Sequence, residues 1–253
     1  APLSSKNPDI DDLAKGKARL ILLNKSDMAD PKYTKLWESY FKAKGFFVLQ
    51  INARTGAGMK AVTGVVNEAC KEKIERDRRR GIKNRPIRAM IVGIPNVGKS
   101  TFINSYAGKA CTKTGNKPGV TKGKQWIKLN KNVELLDTPG ILWPKFESPE
   151  VAKRIAFTGG IRDEIIDIEE LACQLLAYLS ERYAAALCAR YKLTVDPAQT
   201  EPYDLLEEIG RKRGCIVSGG NVDAFRAAAL LLDDFRSSKL GAITLELPDT
   251  KAE

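Results

Sequence analysis

Between an apolar run, Arg88-Ala89-Met90-Ile91-Val92, and a helix-compatible stretch from Thr101 to Ala107 stands Gly93-Ile94-Pro95-Asn96-Val97-Gly98-Lys99-Ser100. It fits G-x-x-x-x-G-K-[ST], and a strand before it with a helix after it is the setting in which that pattern cradles phosphate. The glycines let the backbone turn until its N–H groups face an anion, and the N-terminus of the following helix adds its positive end. Val97, Gly98 and Thr101 belong to this cradle. Lys99 is placed to reach the β- and γ-phosphates and Ser100 to offer its hydroxyl to Mg²⁺. A strand that feeds such a loop and helix commits the chain to an α/β fold with a mostly parallel sheet.

The strands and helices around it agree. Arg19–Leu23 is a buried-strand run ending directly in Asn24-Lys25-Ser26-Asp27. A carboxylate such as Asp27 can accept two hydrogen bonds from the N1–H and N2–H₂ edge of guanine. Asn24 can bond the other edge, and the Lys25 stem can pack along the base. Pro31 to Lys44 reads as an amphipathic helix with Leu36, Tyr40 and Phe41 on one side. Phe46–Ile51 reads as a strand leading into Asn52-Ala53, where the Ala53 N–H can serve the guanine O6. Residues 59–79 read as one helix. After the phosphate loop come a lysine-rich segment, 109–124, two strands (Gln125–Leu129, Val133–Leu136) and Asp137-Thr138-Pro139-Gly140. Asp137 is the second candidate for Mg²⁺, and the Gly140 N–H a sensor of the γ-phosphate. Thr121 sits where a switch threonine would reach the metal, so Lys99, Thr121 and Gly140 form the expected catalytic set. Trp126 is expected in the core; Trp143 is left open.

From about 159 the pattern turns helical: Ile165–Tyr183, Ala184–Tyr191, Tyr203–Arg213 and Val222–Ser238, then a strand-like tail, Ala242–Leu247. Two domains are expected, 1–158 and 159–253. Charge divides the same way. Of the net +11, residues 1–158 hold 31 Lys and Arg against 14 Asp and Glu, and residues 159–253 hold 11 against 17. A basic nucleotide-binding half points to a larger polyanion as partner, with nucleic acid foremost. No apolar run approaches membrane-spanning length, so no membrane partner is expected. Five scattered cysteines and no histidine disfavour a zinc site and suit a reducing, cytoplasmic setting.

The order of these pieces is unusual. In ordinary GTPases the phosphate loop comes first and N-K-x-D late; here N-K-x-D and Asn52-Ala53 precede the loop. The set resembles the circularly permuted GTPases, and GIPNVGKS, NKPGVTKGKQW and LLDTPGILWPKF resemble the ribosome biogenesis GTPase A (YlqF) family. The resemblance implies a circularly permuted P-loop GTPase domain with a smaller, mainly α-helical C-terminal domain that helps bind ribosomal RNA. It implies GTP and GDP as nucleotides, Mg²⁺ as cofactor, and action on the precursor of the large ribosomal subunit. It also places Asn96 where K⁺ is held against the phosphates. The family's proposed catalytic histidine has no counterpart here, and five strands are read where the permuted domain has six, so a truncated chain is expected. Ile141 follows D-T-P-G where Ras-like enzymes carry a water-orienting glutamine, which predicts slow intrinsic hydrolysis. Two readings compete: a GTP-driven assembly factor, and a nucleotide-switched RNA-binding module in which hydrolysis is incidental.

Overall fold

The chain opens with one helical turn, α1 (Ile10–Leu13), and enters its first strand at β1 (Leu20–Leu23). In the computed structural model the described residues are 1–82, 85–112, 125–129 and 132–248. Thr121 and most of the lysine-rich segment lie outside them. α2 (Pro31–Ala43) starts at Asp30, whose carboxylate accepts the Lys32 N–H, with Pro31 in the first turn where its missing N–H costs nothing. β2 (Phe47–Gln50) then pairs parallel with β1, Ile21 opposite Val48. The helix expected over 59–79 is two: α3 (Val62–Ala69) and α4 (Lys71–Arg79). Cys70, at φ −103° and ψ 10°, breaks the run, because only the first piece has an apolar core to pack on.

β3 (Ile87–Met90) leads through the glycine loop into α5 (Lys99–Ala107). β4 (Gln125–Lys128) and β5 (Val133–Asp137) complete a three-stranded sheet in the order β3-β5-β4. β5 runs parallel to β3, with Ala89 opposite Leu135, and antiparallel to β4, with Ile127 opposite Leu135. One core underlies both sheets: Ile51, Ala53, Met59 and Val62 from the first half meet Phe102, Ile103, Ile127 and Val133 from the second. A second cluster, Trp37, Phe41 and Val48, fixes α2 on its sheet. Thr34, Trp37 and Phe41 form the buried stripe of α2, while Leu36, expected on it, is exposed. Trp126 is also corrected. It is 56% exposed, because strand alternation puts its neighbour Ile127 on the core side.

The chain divides into two compact units, Ala1–Phe146 with Thr244–Glu253, and Glu147–Ile243. The division falls ahead of the expected 158/159. α6 (Pro149–Phe157), capped by Ser148 Oγ and missed in the sequence, packs with the helical unit. That unit is completed by α7 (Ile168–Arg182), α8 (Ala184–Tyr191), α9 (Pro202–Lys212) and α10 (Ala224–Arg236). Leu175, Leu176, Leu205, Leu206 and Leu231 are its centre, each fully buried. The tail expected as a strand is instead a strap on the first unit. The Trp37 indole donates to the Glu246 carbonyl at 3.0 Å, and the Glu246 carboxylate accepts Ser4 N–H and Ser4 Oγ at 3.0 and 2.5 Å.

Candidate nucleotide site

Asn24 joins three separate segments. Its Nδ2 donates to the Val97 carbonyl at 2.8 Å, and its Oδ1 accepts the Ala53 N–H at 3.0 Å. Thus the end of β1, the turn after β2 and the glycine loop meet at one side chain, although 73 positions separate Asn24 from Val97. The next residue but one adds a tie, since Ser26 N and Oγ both donate to the Ile51 carbonyl, at 3.2 and 3.0 Å. Lys25 between them takes a left-handed backbone, φ 56°. Lys25 and Asp27 are exposed, free to meet a ligand from solvent.

Asn52 is buried and works on its own turn: its Oδ1 accepts the Arg54 and Thr55 N–H groups at 2.9 and 3.1 Å. That arrangement of a short side-chain oxygen over the following amides holds Ala53 in place. The Ala53 N–H expected to face a guanine O6 donates to Asn24 instead, so Asn52 holds the turn that carries this donor.

The glycine loop depends on backbone that only glycine provides cheaply at one point. Gly98 has φ +93°, and a Cβ there would lie 2.4 Å from Asn24 Nδ2. Asn96, at φ 61°, is a second left-handed residue of the loop. Ser100 and Thr101 lie in the first turn of α5, at the positive end of the helix. The Lys99 ammonium spans the loop, donating to the Gly93 and Ile94 carbonyls at 2.8 Å each.

Opposite it, β5 ends in Asp137, which is fully buried, with neither carboxylate oxygen in a well-formed hydrogen bond. Burial pushes its pKa above the ordinary carboxylate value, against the pull of the Lys99 charge. The same burial lowers Lys99 to about 8, with Asp137 holding it up in part. A buried carboxylate without partners and a lysine short of negative charge fit a bound cation and a bound polyanion side by side. Mg²⁺ held by Asp137 and Ser100 would neutralise charge developing on transferred phosphate oxygens.

Two contributors were not foreseen in the sequence. Thr138 Oγ donates to the Ile91 carbonyl at 2.7 Å, locking D-T-P-G to the end of β3. Asn104 caps the exit from α5, its Oδ1 accepting Cys111 and Thr112 N–H at 2.8 Å. The i to i+1 position within D-x-x-G and a mid-helix asparagine were the available signals. Gly140 lies against the loop: a Cβ there would stand 2.8 Å from Pro95 N and Cα and 3.0 Å from Lys99 Nζ.

With this geometry in view, the family of 50S ribosome-binding GTPases matches residues 88–213. The ribosome biogenesis GTPase A of Bacillus cereus is 47% identical over 252 residues, spanning 100% of this chain and 84% of that protein. The chain belongs to the ribosome biogenesis GTPase A family. Its Thermotoga maritima relative of that name is 34% identical over 233 residues, 92% of this chain and 78% of the relative. The GNP-bound crystal structure of YlqF from T. maritima has a TM-score of 0.66 at 29% identity, covering 98% of this chain and 89% of that one. A GDP-bound YlqF structure gives 0.63 at 28% identity. As a GTPase of this family, the chain ties its permuted motifs together at Asn24 and Ser26, and the Lys99 and Asp137 charges act on each other.

Proposed function

We propose that this chain is a cytoplasmic assembly factor for the large ribosomal subunit, which engages the subunit precursor and its rRNA in the GTP state and leaves after hydrolysis. The observation that supports the reading is the Asn24 junction, which ties the N-K-x-D segment to the phosphate loop. The names of its relatives and the basic first half supply the particle. In this reading Asp27 selects guanine and Lys99 binds the β- and γ-phosphates. Ser100, Asp137 and Thr121 hold Mg²⁺, and Gly140 reports the γ-phosphate. Lys99 keeps its place through the reaction, and its charged form is favoured further when phosphates replace the two loop carbonyls.

Ile141, exposed and without a hydrogen-bonding group, cannot orient the attacking water, so hydrolysis by the free protein is slow. Acceleration comes from the particle, which orders the switch segment or supplies the missing group. Asn96 and K⁺ assist at the phosphates; equal rates in K⁺ and Na⁺ would remove that part. The helical unit adds RNA contacts. Co-sedimentation with purified large and small subunits tests the whole: large-subunit binding with a GTP analogue and release with GDP is expected. Binding indifferent to nucleotide, or equal on both subunits, would refute it.

A further inference from the structure

The outer face of the β3-β5-β4 sheet carries two rows of side chains. In one, Met90, Leu136 and Trp126 lie side by side, since Leu136 is paired with both of the others. In the next, Arg88, Glu134 and Lys128 lie in the same way. Residues directly opposite on neighbouring strands share a face, so the first row is a continuous apolar strip. It is open: Trp126 is 56% and Met90 55% exposed. The Arg88 guanidinium stacks over the Trp126 ring at 5.3 Å from its centroid while Nε donates to Glu134 at 3.1 Å. The indole therefore has a cation against it.

Neither row belongs to the nucleotide site, yet Leu136 immediately precedes Asp137. The charge is right for a polyanion: Arg88 and Lys128 outnumber Glu134, and residues 109–131, Lys128 among them, hold seven lysines and no acid. An exposed indole steadied by a guanidinium beside lysines is the arrangement that takes an unpaired base by stacking while cations hold the phosphates. A protein partner would meet the same strip, but it gains little from the excess of lysine in the sequence of residues 109–131.

We infer that the outer face of β3-β5-β4 binds single-stranded RNA, with Trp126 as the stacking platform and Arg88 and Lys128 as phosphate contacts. The inference rests on the proposed rRNA binding and adds where an unpaired segment docks. Trp126 is the one exposed tryptophan of three, Trp37 and Trp143 being 1% and 6% exposed. Its fluorescence therefore reports the site. In the GTP-analogue state, a short oligoadenylate is expected to quench the iodide-accessible fraction of the emission, and a duplex of equal length to leave it. Trp126→Ala should weaken oligoadenylate binding roughly tenfold or more. Trp126→Phe, which keeps an aromatic face, should bind well yet show no quenching. Basal GTP hydrolysis should be unchanged in both.

Several results would overturn the inference. In one, the free protein shows no iodide-accessible tryptophan, so the face is covered. In another, quenching persists in Trp126→Phe, or Trp126→Ala binds oligoadenylate as well as the parent. Loss of particle binding in Trp126→Ala with oligoadenylate binding intact would instead make the strip a protein-docking surface. Failure of the unaltered protein to bind large subunits at all would refute the broader reading rather than this site.

Discussion

Replacing Asn24 by alanine tests the junction on which the nucleotide site depends. Two bonds disappear: Nδ2 to the Val97 carbonyl at 2.8 Å and the Ala53 N–H to Oδ1 at 3.0 Å. Losing the Val97 bond costs about 1 kcal/mol net, and losing the other strands the N–H of Ala53, which is 3% exposed, at about 1–3 kcal/mol. A loss of about 2–4 kcal/mol follows. In the variant the base-reading segment and the phosphate loop are no longer joined by this side chain, so binding must itself order them. If the loss falls mainly on binding, affinity drops roughly 30- to 1,000-fold at 1.4 kcal/mol per decade. Equilibrium titration with a fluorescent GDP analogue, beside thermal unfolding of the free protein, separates the possibilities. Asn24→Asp keeps the acceptor for Ala53 but sets a carboxylate against the Val97 carbonyl, so it should bind no better than Asn24→Ala. Nucleotide affinity within about threefold of the parent, with only a fall in Tm, would show that the junction holds the fold without organising the site.

Gly140→Ala places a methyl 2.8 Å from the Pro95 backbone, which forces D-T-P-G outward. GTP turnover should fall roughly a hundredfold, as for loss of one charge-stabilising N–H, with GDP affinity little changed; steady-state hydrolysis beside GDP titration decides it. Lys99 loses its proton near pH 8 in the free protein, below its ordinary 10.5, whereas bound phosphates favour the charged form. Binding above pH 8 therefore takes up a proton, and GDP affinity should fall as pH rises through about 8, by up to about tenfold per unit. A flat profile from about pH 7 to about 9.5 would contradict this. In Asp137→Asn the tightening of GTP by Mg²⁺, measured by titration with and without the metal, should vanish while metal-free GDP binding persists; unchanged Mg²⁺ dependence would remove Asp137 from the metal site.

Much of this protein was written locally. The five strands of the described residues were legible as short stretches with apolar members set between turn residues, and α8 was read to the residue. The misreadings occur where local pattern leaves a choice that packing makes. Residues 59–79 have helical propensity throughout, but only Val62–Ala69 has a core beneath it, so the chain breaks at Cys70. Leu36 and Trp37 are adjacent apolar residues, and only the position of β2 decides that Trp37 goes inside. Trp126 was expected in the core, whereas register with Leu136 turns it outward.

The amino-acid order by itself determined the chemistry on offer: a glycine loop of the phosphate-binding pattern, a carboxylate suited to guanine and an aspartate suited to a metal, each a short motif whose meaning lies in neighbouring residues. Tertiary structure alone decided how these parts act on one another. The Asn24 amide is spent on Val97 and Ala53, and Asp137 is buried without partners beside a lysine lowered to about 8. Residues far apart in the chain set these properties, and hydrogen-bond geometry and desolvation are functions of distance in space, which no local pattern records.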